Sequence, residues 1–531
     1  MSTRGMTERR KQKTDTDGRC GDPESLKWNI VSLLHWFVAV SSFAYAVWSF
    51  AVDDTHRLLP QQMRGAFRPS AYGLRRKQDV TNFGWQVELS FVVASWKWLL
   101  LHPILARATA YAAPSLLPVF YAGYSVLFVA SLLGAEVAMV FLGQHALFFA
   151  VARLRSPALC YGAGLLLLLL NFAIPRNFSQ QLYFRYGAMG YVVTMACFQW
   201  NLLRGLSFSL DYVRAHRLAP KQSDAGPPYW RTLAYSFYLP PLCLGPMQNY
   251  CDFDTQVDKP RTKCTPAEVM AILGTLARSG VHFVLVESFT HYFYSSAMSK
   301  LLWTVADLDT TSLLGYGLAL NFFFYLRYVF CYGFAGALAR AEGIVLPPHS
   351  KCIARLTRCS QFWRYFDRGM HLWIKRYIYD PLVGDRRGAT WILLGAAFGF
   401  SFSWLWHGMD RLSTVWSVLS VLGIATEVLA AEARKLRPIR DFEARHLTTP
   451  ERLRVARAVL GSPNYLLTIC ACIFHLADFD ICLILCKRIL LGFPFPLVPV
   501  LVVLYTACYM QHDVVKWETS ARLGRKKETS S

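Results

Sequence analysis

The chain has 531 residues, of which 54% are hydrophobic, 15% aromatic and only 17% charged, with a mean hydropathy of +0.27. Soluble domains carry about a quarter charged residues, so this composition excludes the soluble globular class, and continuous apolar runs exclude a membrane barrel of short alternating strands. The net charge of +22 sits largely in the tails and between apolar runs, which favours membrane topology and anionic lipid over nucleic acid as its meaning.

Residues 1–27 are polar, contain Arg9-Arg10-Lys11 and read as a disordered cytosolic tail with no cleavable signal. The first apolar run follows from about Trp28 and is expected to act as an uncleaved anchor. The C-terminal stretch 516–531, with Arg525-Lys526-Lys527, is equally basic, which places both ends in the cytosol and makes the number of crossings even. Segment 53–85 looks soluble and contains LRRKQDVTNFGW. Its six basic residues from Arg57 to Lys77 oppose the lumenal placement that alternation demands, and the alternation is kept.

Further apolar runs occupy 87–106, 115–133, 135–153, 157–174, 183–205, 230–250, 268–298, 312–338, 390–407, 412–432, 463–489 and 493–511. Runs broken by proline and glycine, such as YLPPLCLGP at 238–246, predict re-entrant or kinked segments, because irregular backbone survives in a membrane only when protein covers it. The expected architecture is all-α: a polytopic membrane protein with about ten spans plus re-entrant elements. Fourteen cysteines are scattered without a CxxC pair or zinc spacing, so no disulfide framework is expected. The sequon at Asn177 is usable only on a lumenal loop, and chance accounts for it.

Ionisable groups inside such runs cost about 2.5–3.5 kcal/mol on insertion scales, so each needs a partner or a wet cavity. Four clusters qualify. Asp367 and His407 lie 40 residues apart, His407 closing the run SFSWLWHG. A neutral imidazole there can accept a proton from a nucleophile, although a helix-end histidine in an aromatic belt gives the same pattern. Asp367 also falls on a stripe with Arg364, Arg368, His371 and Lys375, opposite Trp363, Phe366, Met370 and Trp373, as in an interfacial amphipathic helix. Glu287 and His291, four apart, form a rival acid–imidazole pair that reads more readily as a structural hydrogen bond. Arg327, in FFFYLRYVF, either snorkels to an interface or meets an anionic substrate. In the polar loop 340–360, Cys352 stands beside Lys351, Arg355 and Arg358, cations that would lower a thiol pKa.

Taken together, WLWHG after a long apolar run, WRYFD upstream and YIYDPL between them resemble the membrane-bound O-acyltransferase (MBOAT) family. RRKQDVTNFGW, LSFSLDYV at 206–213 and YSFYLPPLCLGP at 235–246 agree. The likeness runs from about residue 28 to 515, and the aspartate of WRYFD, where most members carry asparagine, is similar to the hedgehog acyltransferase branch. The resemblance implies a multipass enzyme of the endoplasmic reticulum, with the Golgi as the alternative, that moves palmitate from palmitoyl-CoA to the N-terminal cysteine of a hedgehog-type secreted precursor. It implies His407 as catalytic histidine, Asp367 as its partner, Trp363 and Arg364 in the acyl-CoA site, and Cys352, 15 residues before Asp367, as thiolate ligand of a structural haem, whose iron is the only metal expected. Basic groups such as Lys375, Arg376, Arg386 or Arg387 would draw the CoA phosphates.

There are departures. The family's NGP is Leu244-Gly245-Pro246, and Tyr379-Asp380-Pro381-Leu382-Val383-Gly384 replaces a glycine-rich turn. A related branch has lost the histidine and is inactive, whereas this chain keeps both His407 and Asp367. A lysophospholipid or another secreted peptide as acceptor, or a non-catalytic regulator or transporter, are the remaining alternatives.

Overall fold

A computed structural model describes residues 29–173, 176–218, 229–261 and 265–528; the expected tail 1–27 lies outside them. Ten described helices are long and apolar enough to cross a membrane: Ile30–Gln62, Phe83–Ala112, Pro114–Leu132, Ala135–Arg153, Pro266–Tyr292, Thr310–Ala341, Ala389–Trp406, Arg411–Ala433, Pro450–Leu476 and Leu497–Ala521. Three predicted runs are absent from that set. Pro157–Ala173 is shorter, 183–205 lies within a long helix, Arg176–Leu218, that kinks at Gly187, and 230–250 breaks into Tyr229–Ser236, Pro240–Cys243 and Tyr250–Asp258. The prolines at 240 and 241 can start a helix but not continue one, which is why this third run is broken. The run 463–489 also divides, since Pro450–Leu476 ends before Phe479–Leu491. The basic stretch after 515 continues the last helix, Leu497–Glu528.

Thr310–Ala341 is the central post. Its apolar window is 61% buried, against 11% for Pro266–Tyr292 and Ala389–Trp406, whose outer faces are left for lipid. Large apolar side chains exposed on the outer helices, such as Phe37, Met270 and Leu460, fit that solvent. Gly315 lets Ile30–Val52 approach the post so closely that a Cβ would meet the Ala46 carbonyl oxygen.

The soluble-looking segment forms a short antiparallel hairpin, Phe67–Pro69 with Lys77–Asp79, and its motif residues brace the post. Asn82 caps Phe83–Ala112 and accepts from Arg327. Trp85 donates to Glu287 at 2.6 Å, and Asp79 accepts from the Ala297 amide at 2.9 Å.

The stretch that looked like one amphipathic helix is broken. Cys359–Tyr365 and Arg368–Ile374 are separate helices, and a wide π turn, Lys375–Tyr379, follows. LSFSLDYV holds that turn in place. Asp211 accepts from Arg376 at 2.7 and 3.0 Å and from the Tyr377 hydroxyl at 2.9 Å, while Ser207 lies 2.8 Å from the same hydroxyl.

Candidate active site

His407 is placed by the end of Ala389–Trp406. It closes the last turn, its amide donating to Ser403, and Gly408 and Met409 then turn the chain at φ +95° and +58°. The left-handed region is easy for glycine and costs a methionine energy, so the backbone behind His407 is a strained elbow. Glycine at 408 is therefore demanded by conformation, with open space around it: the nearest atom to an added Cβ would be Phe172, at 3.7 Å.

The His407 ring is open on one side and walled on the others. Trp416 packs edge-on at 5.2 Å and His475 at 5.0 Å, and these two rings touch each other at 5.1 Å. This packing lowers the His407 pKa below its ordinary 6.5, opposed by the nearby Asp410 carboxylate. The shift favours the uncharged imidazole, the form that accepts a proton. Among the described residues neither ring nitrogen has a hydrogen-bond partner.

Asp367 sits at the break between the two short helices. Its Oδ1 caps Arg368–Ile374 by accepting the Met370 amide at 2.9 Å, and its Oδ2 accepts the Tyr332 hydroxyl at 2.6 Å. Burial raises its pKa, and these bonds oppose the rise. The expected pairing of Asp367 with Arg364 or His371 does not occur, because a capping carboxylate faces the helix axis instead of an exposed stripe. No hydrogen bond or ion pair joins Asp367 to His407 among the described residues. A wall of aromatic rings connects them: His475 meets Phe324 at 5.8 Å, Phe324 stacks on Phe366 at 5.6 Å, and Asp367 is the next residue.

Trp363 belongs to the same wall, 5.3 Å from Trp416 and 5.7 Å from Phe400, while Arg364 is exposed. His475 and Tyr332 were not singled out in the sequence. Each sits on a helix remote in sequence from the motif, so only packing brings it to the site.

The other clusters resolve as structure. The Glu287 carboxylate accepts from Trp85 and from Gln78 at 2.8 Å; His291 donates from Nδ1 to the Glu287 carbonyl and meets Ser70 at 3.0 Å. Arg327 neither snorkels nor waits for substrate, since it forks onto Glu88 at 2.7 and 3.1 Å. Of the basic groups suggested for CoA, Arg376 is committed to Asp211 and Lys375 meets Asp380 at 2.5 Å, whereas Arg386 lies over Trp391.

Cys352 opens the short turn Ile353–Arg355. Its thiol pKa is raised, not lowered as its cationic neighbours suggested: burial outweighs Arg355 and the Ala354 amide. A cavity of about 180 Å³ is lined by its neighbour Lys351 and by Arg355, Gln361, Tyr365 and Glu518 among others, but not by Cys352 itself; Glu518 pairs with both Lys351 and Arg355. No group of three or more His, Cys, Asp or Glu among the described residues could hold a metal ion.

A polytopic helical membrane protein that holds an exposed histidine at the end of one span and a capped carboxylate between two short helices is of the class in which such ionisable groups mark a functional site. Residues 165–455, more than half of the chain, match the MBOAT, membrane-bound O-acyltransferase family. The chain belongs to this family. Protein-cysteine N-palmitoyltransferase HHAT of Mus musculus is 27% identical over 83% of this chain and 89% of its own length. Protein-cysteine N-palmitoyltransferase Rasp of Drosophila melanogaster is 27% identical over 71% and 73%, and the HHAT-like protein of Mus musculus 26% identical over 89% and 92%.

Proposed function

We propose that this acyltransferase moves palmitate from palmitoyl-CoA to the N-terminal cysteine of a hedgehog-type secreted protein. The observation that carries the reading is the exposed His407 imidazole at the end of an apolar helix, with no hydrogen-bond partner on either ring nitrogen among the described residues. The names of the HHAT and Rasp relatives support the donor and acceptor classes.

In the reaction, the acceptor's α-amino nitrogen attacks the palmitoyl thioester carbon. Its reference pKa of about 7.7–8.0 leaves enough free amine near neutrality. His407 accepts the amine proton as the C–N bond forms; the C–S bond then breaks, and CoA departs as thiol with that proton. Asp367 does not touch the imidazole, so its role is to attract and position the incoming ammonium or amine beside Tyr332. Attack by the cysteine thiol followed by S-to-N transfer uses the same residues. Trp363 and Arg364 are assigned to the acyl-CoA side, with Arg386 or Arg387 as phosphate partners; Arg376, bound to Asp211, is left out.

The basic connections 340–387 and 434–457 fall on the side of the N-terminal tail if successive spans alternate, and the His407 turn on the opposite side. The bias toward cytosolic lysine and arginine makes the first side cytosolic and the second lumenal, so both termini are cytosolic. A secreted acceptor meeting His407 from the lumen fits residence in the endoplasmic reticulum membrane, or the Golgi.

Cys352 is the residue that would hold a haem, through one iron–sulfur bond. The cavity near it in sequence does not by itself fit the group: Cys352 is outside its lining, and Lys351 and Arg355 in its wall are paired with Glu518, so neither is free for a porphyrin carboxylate. Haem would supply a structural clamp, and acyl transfer needs none of its redox chemistry. A Soret band that disappears in Cys352→Ala supports this assignment, and one that persists refutes it.

The activity is tested with alkyne-tagged palmitoyl-CoA and a Cys-initiated hedgehog peptide. Wild-type protein should label the peptide and His407→Ala should not. Labelling of a lysophospholipid in its place would move the acceptor to the lipid class. No transfer by wild type would point to a non-catalytic protein.

A further inference from the structure

The six basic residues between Arg57 and Lys77, on the side where such charge is disfavoured, are not among the residues assigned to acyl transfer above. Two of them come together in the fold. Arg57, from the helix Asp54–Gln62, and Arg76, from the loop before the hairpin's second strand, line a cavity of about 320 Å³. Its remaining wall is made by the far ends of Ile30–Val52 and Pro266–Tyr292, including Val52, Leu285, Phe289 and Tyr292. The floor is apolar and the rim cationic. The Arg76 guanidinium lies over the Tyr292 ring at 5.0 Å, and no acid pairs with the Arg57 guanidinium among the described residues. No acidic residue lines the cavity. Leu285 is 42% exposed and Val281 and Val284, one turn or less away, are 58% and 60% exposed, so the cavity opens along a helix face left for lipid.

An exposed pair of arginines at the end of two spans, without carboxylates, is a site for a phosphate group; an apolar floor continuing down a lipid-facing helix is a site for an acyl chain. An anionic phospholipid combines both features in one molecule. We propose that this cleft binds one anionic phospholipid from the leaflet opposite the N-terminal tail, its phosphodiester between Arg57 and Arg76 and one chain along Leu285 and Phe289. A choline headgroup would find no acidic or open aromatic cage to offset its charge there, so phosphatidylglycerol or phosphatidylserine is preferred over phosphatidylcholine. The bound lipid offsets part of the charge that makes this loop an exception to the topology bias.

The test is native mass spectrometry of the full-length protein in detergent with added phosphatidylglycerol, phosphatidylcholine or soluble glycerol 3-phosphate. Wild type should retain phosphatidylglycerol in preference to phosphatidylcholine. In Arg57→Gln/Arg76→Gln retention should weaken by about 30-fold, from roughly fivefold for each arginine. Leu285→Trp, which fills the floor and keeps both charges, should also release the lipid. An unchanged thermal transition in either variant shows that the fold is intact, and at least one such variant suffices. Equal retention of the two lipids, undiminished retention in a folded variant, or displacement by glycerol 3-phosphate at equal concentration would each overturn the proposal.

Discussion

Glu287 with His291 and Asp367 with His407 are two carboxylate–imidazole pairs on apolar segments of the same chain, and they have opposite fates. The first pair is sealed. Both Glu287 oxygens accept hydrogen bonds, both His291 nitrogens have partners, and the two residues sit buried beside the central post. The second pair is spread along a wall of rings, with Asp367 tied to Tyr332 and a helix end and His407 left open. Proximity in sequence therefore marked the satisfied pair, and distance in sequence the pair proposed for the chemistry. A satisfied buried pair holds helices together; a base needs an unspent lone pair.

The largest effect expected from breaking this contrast is at His407. His407→Ala should reduce palmitoyl transfer by about 10²–10⁴-fold, the usual value of a general base, with little change in the thermal transition. Glu287→Gln should do the reverse. It strips charge from two hydrogen bonds in a buried site, so stability should fall by about 1–3 kcal/mol in a denaturation series, while the activity of the folded fraction stays near wild type. Loss of turnover in folded Glu287→Gln protein would put that pair back among the catalytic candidates.

The wall between the two halves of the open pair gives a finer test. His475→Ala removes a ring that packs on His407 and should lower kcat more than it raises KM, by roughly tenfold, as the imidazole gains freedom to turn. His475→Phe keeps the ring and should recover most of that rate. If the phenylalanine variant is as poor as alanine, His475 carries a proton and does not merely position its neighbour.

The smallest effect is in the pH profile. The His407 pKa is depressed, so its neutral form persists below pH 6.5 and the acid limb of kcat should lie below that value. The same shift means that unfolded chains bind more protons than folded ones under acid, so the stability that His407 contributes is present above pH 6.5 and is lost as pH falls through its folded pKa. An acid limb centred above 6.5 would contradict the geometry around the ring.

Several parts of this arrangement were legible in the residues. Length and hydropathy alone yielded a polytopic helical protein with about ten spans, and the proline pair at 240–241 announced the broken segment. WRYFD and WLWHG carried the likeness to the acyltransferase family, to which the chain belongs. What failed was periodicity near Asp367. Arg364, Asp367, His371 and Lys375 fit one helical stripe, but Asp367 leaves the helical region, at φ −118° and ψ 93°, to cap the next helix. A capping aspartate and a mid-helix aspartate look alike until the backbone is seen.

The sequence by itself determined the class of the molecule, because burying or exposing apolar runs of about 20 residues in water is too costly and a bilayer is the solvent that accepts them. Only the tertiary structure decided which ionisable groups are free to act. Whether a carboxylate or imidazole keeps a lone pair for chemistry depends on partners supplied from segments far away in the chain: Trp85 and Gln78 for Glu287, Asp211 for Arg376, Glu88 for Arg327. Hydrogen bonds act over about 3 Å and have no memory of sequence distance, so those partners are set by packing.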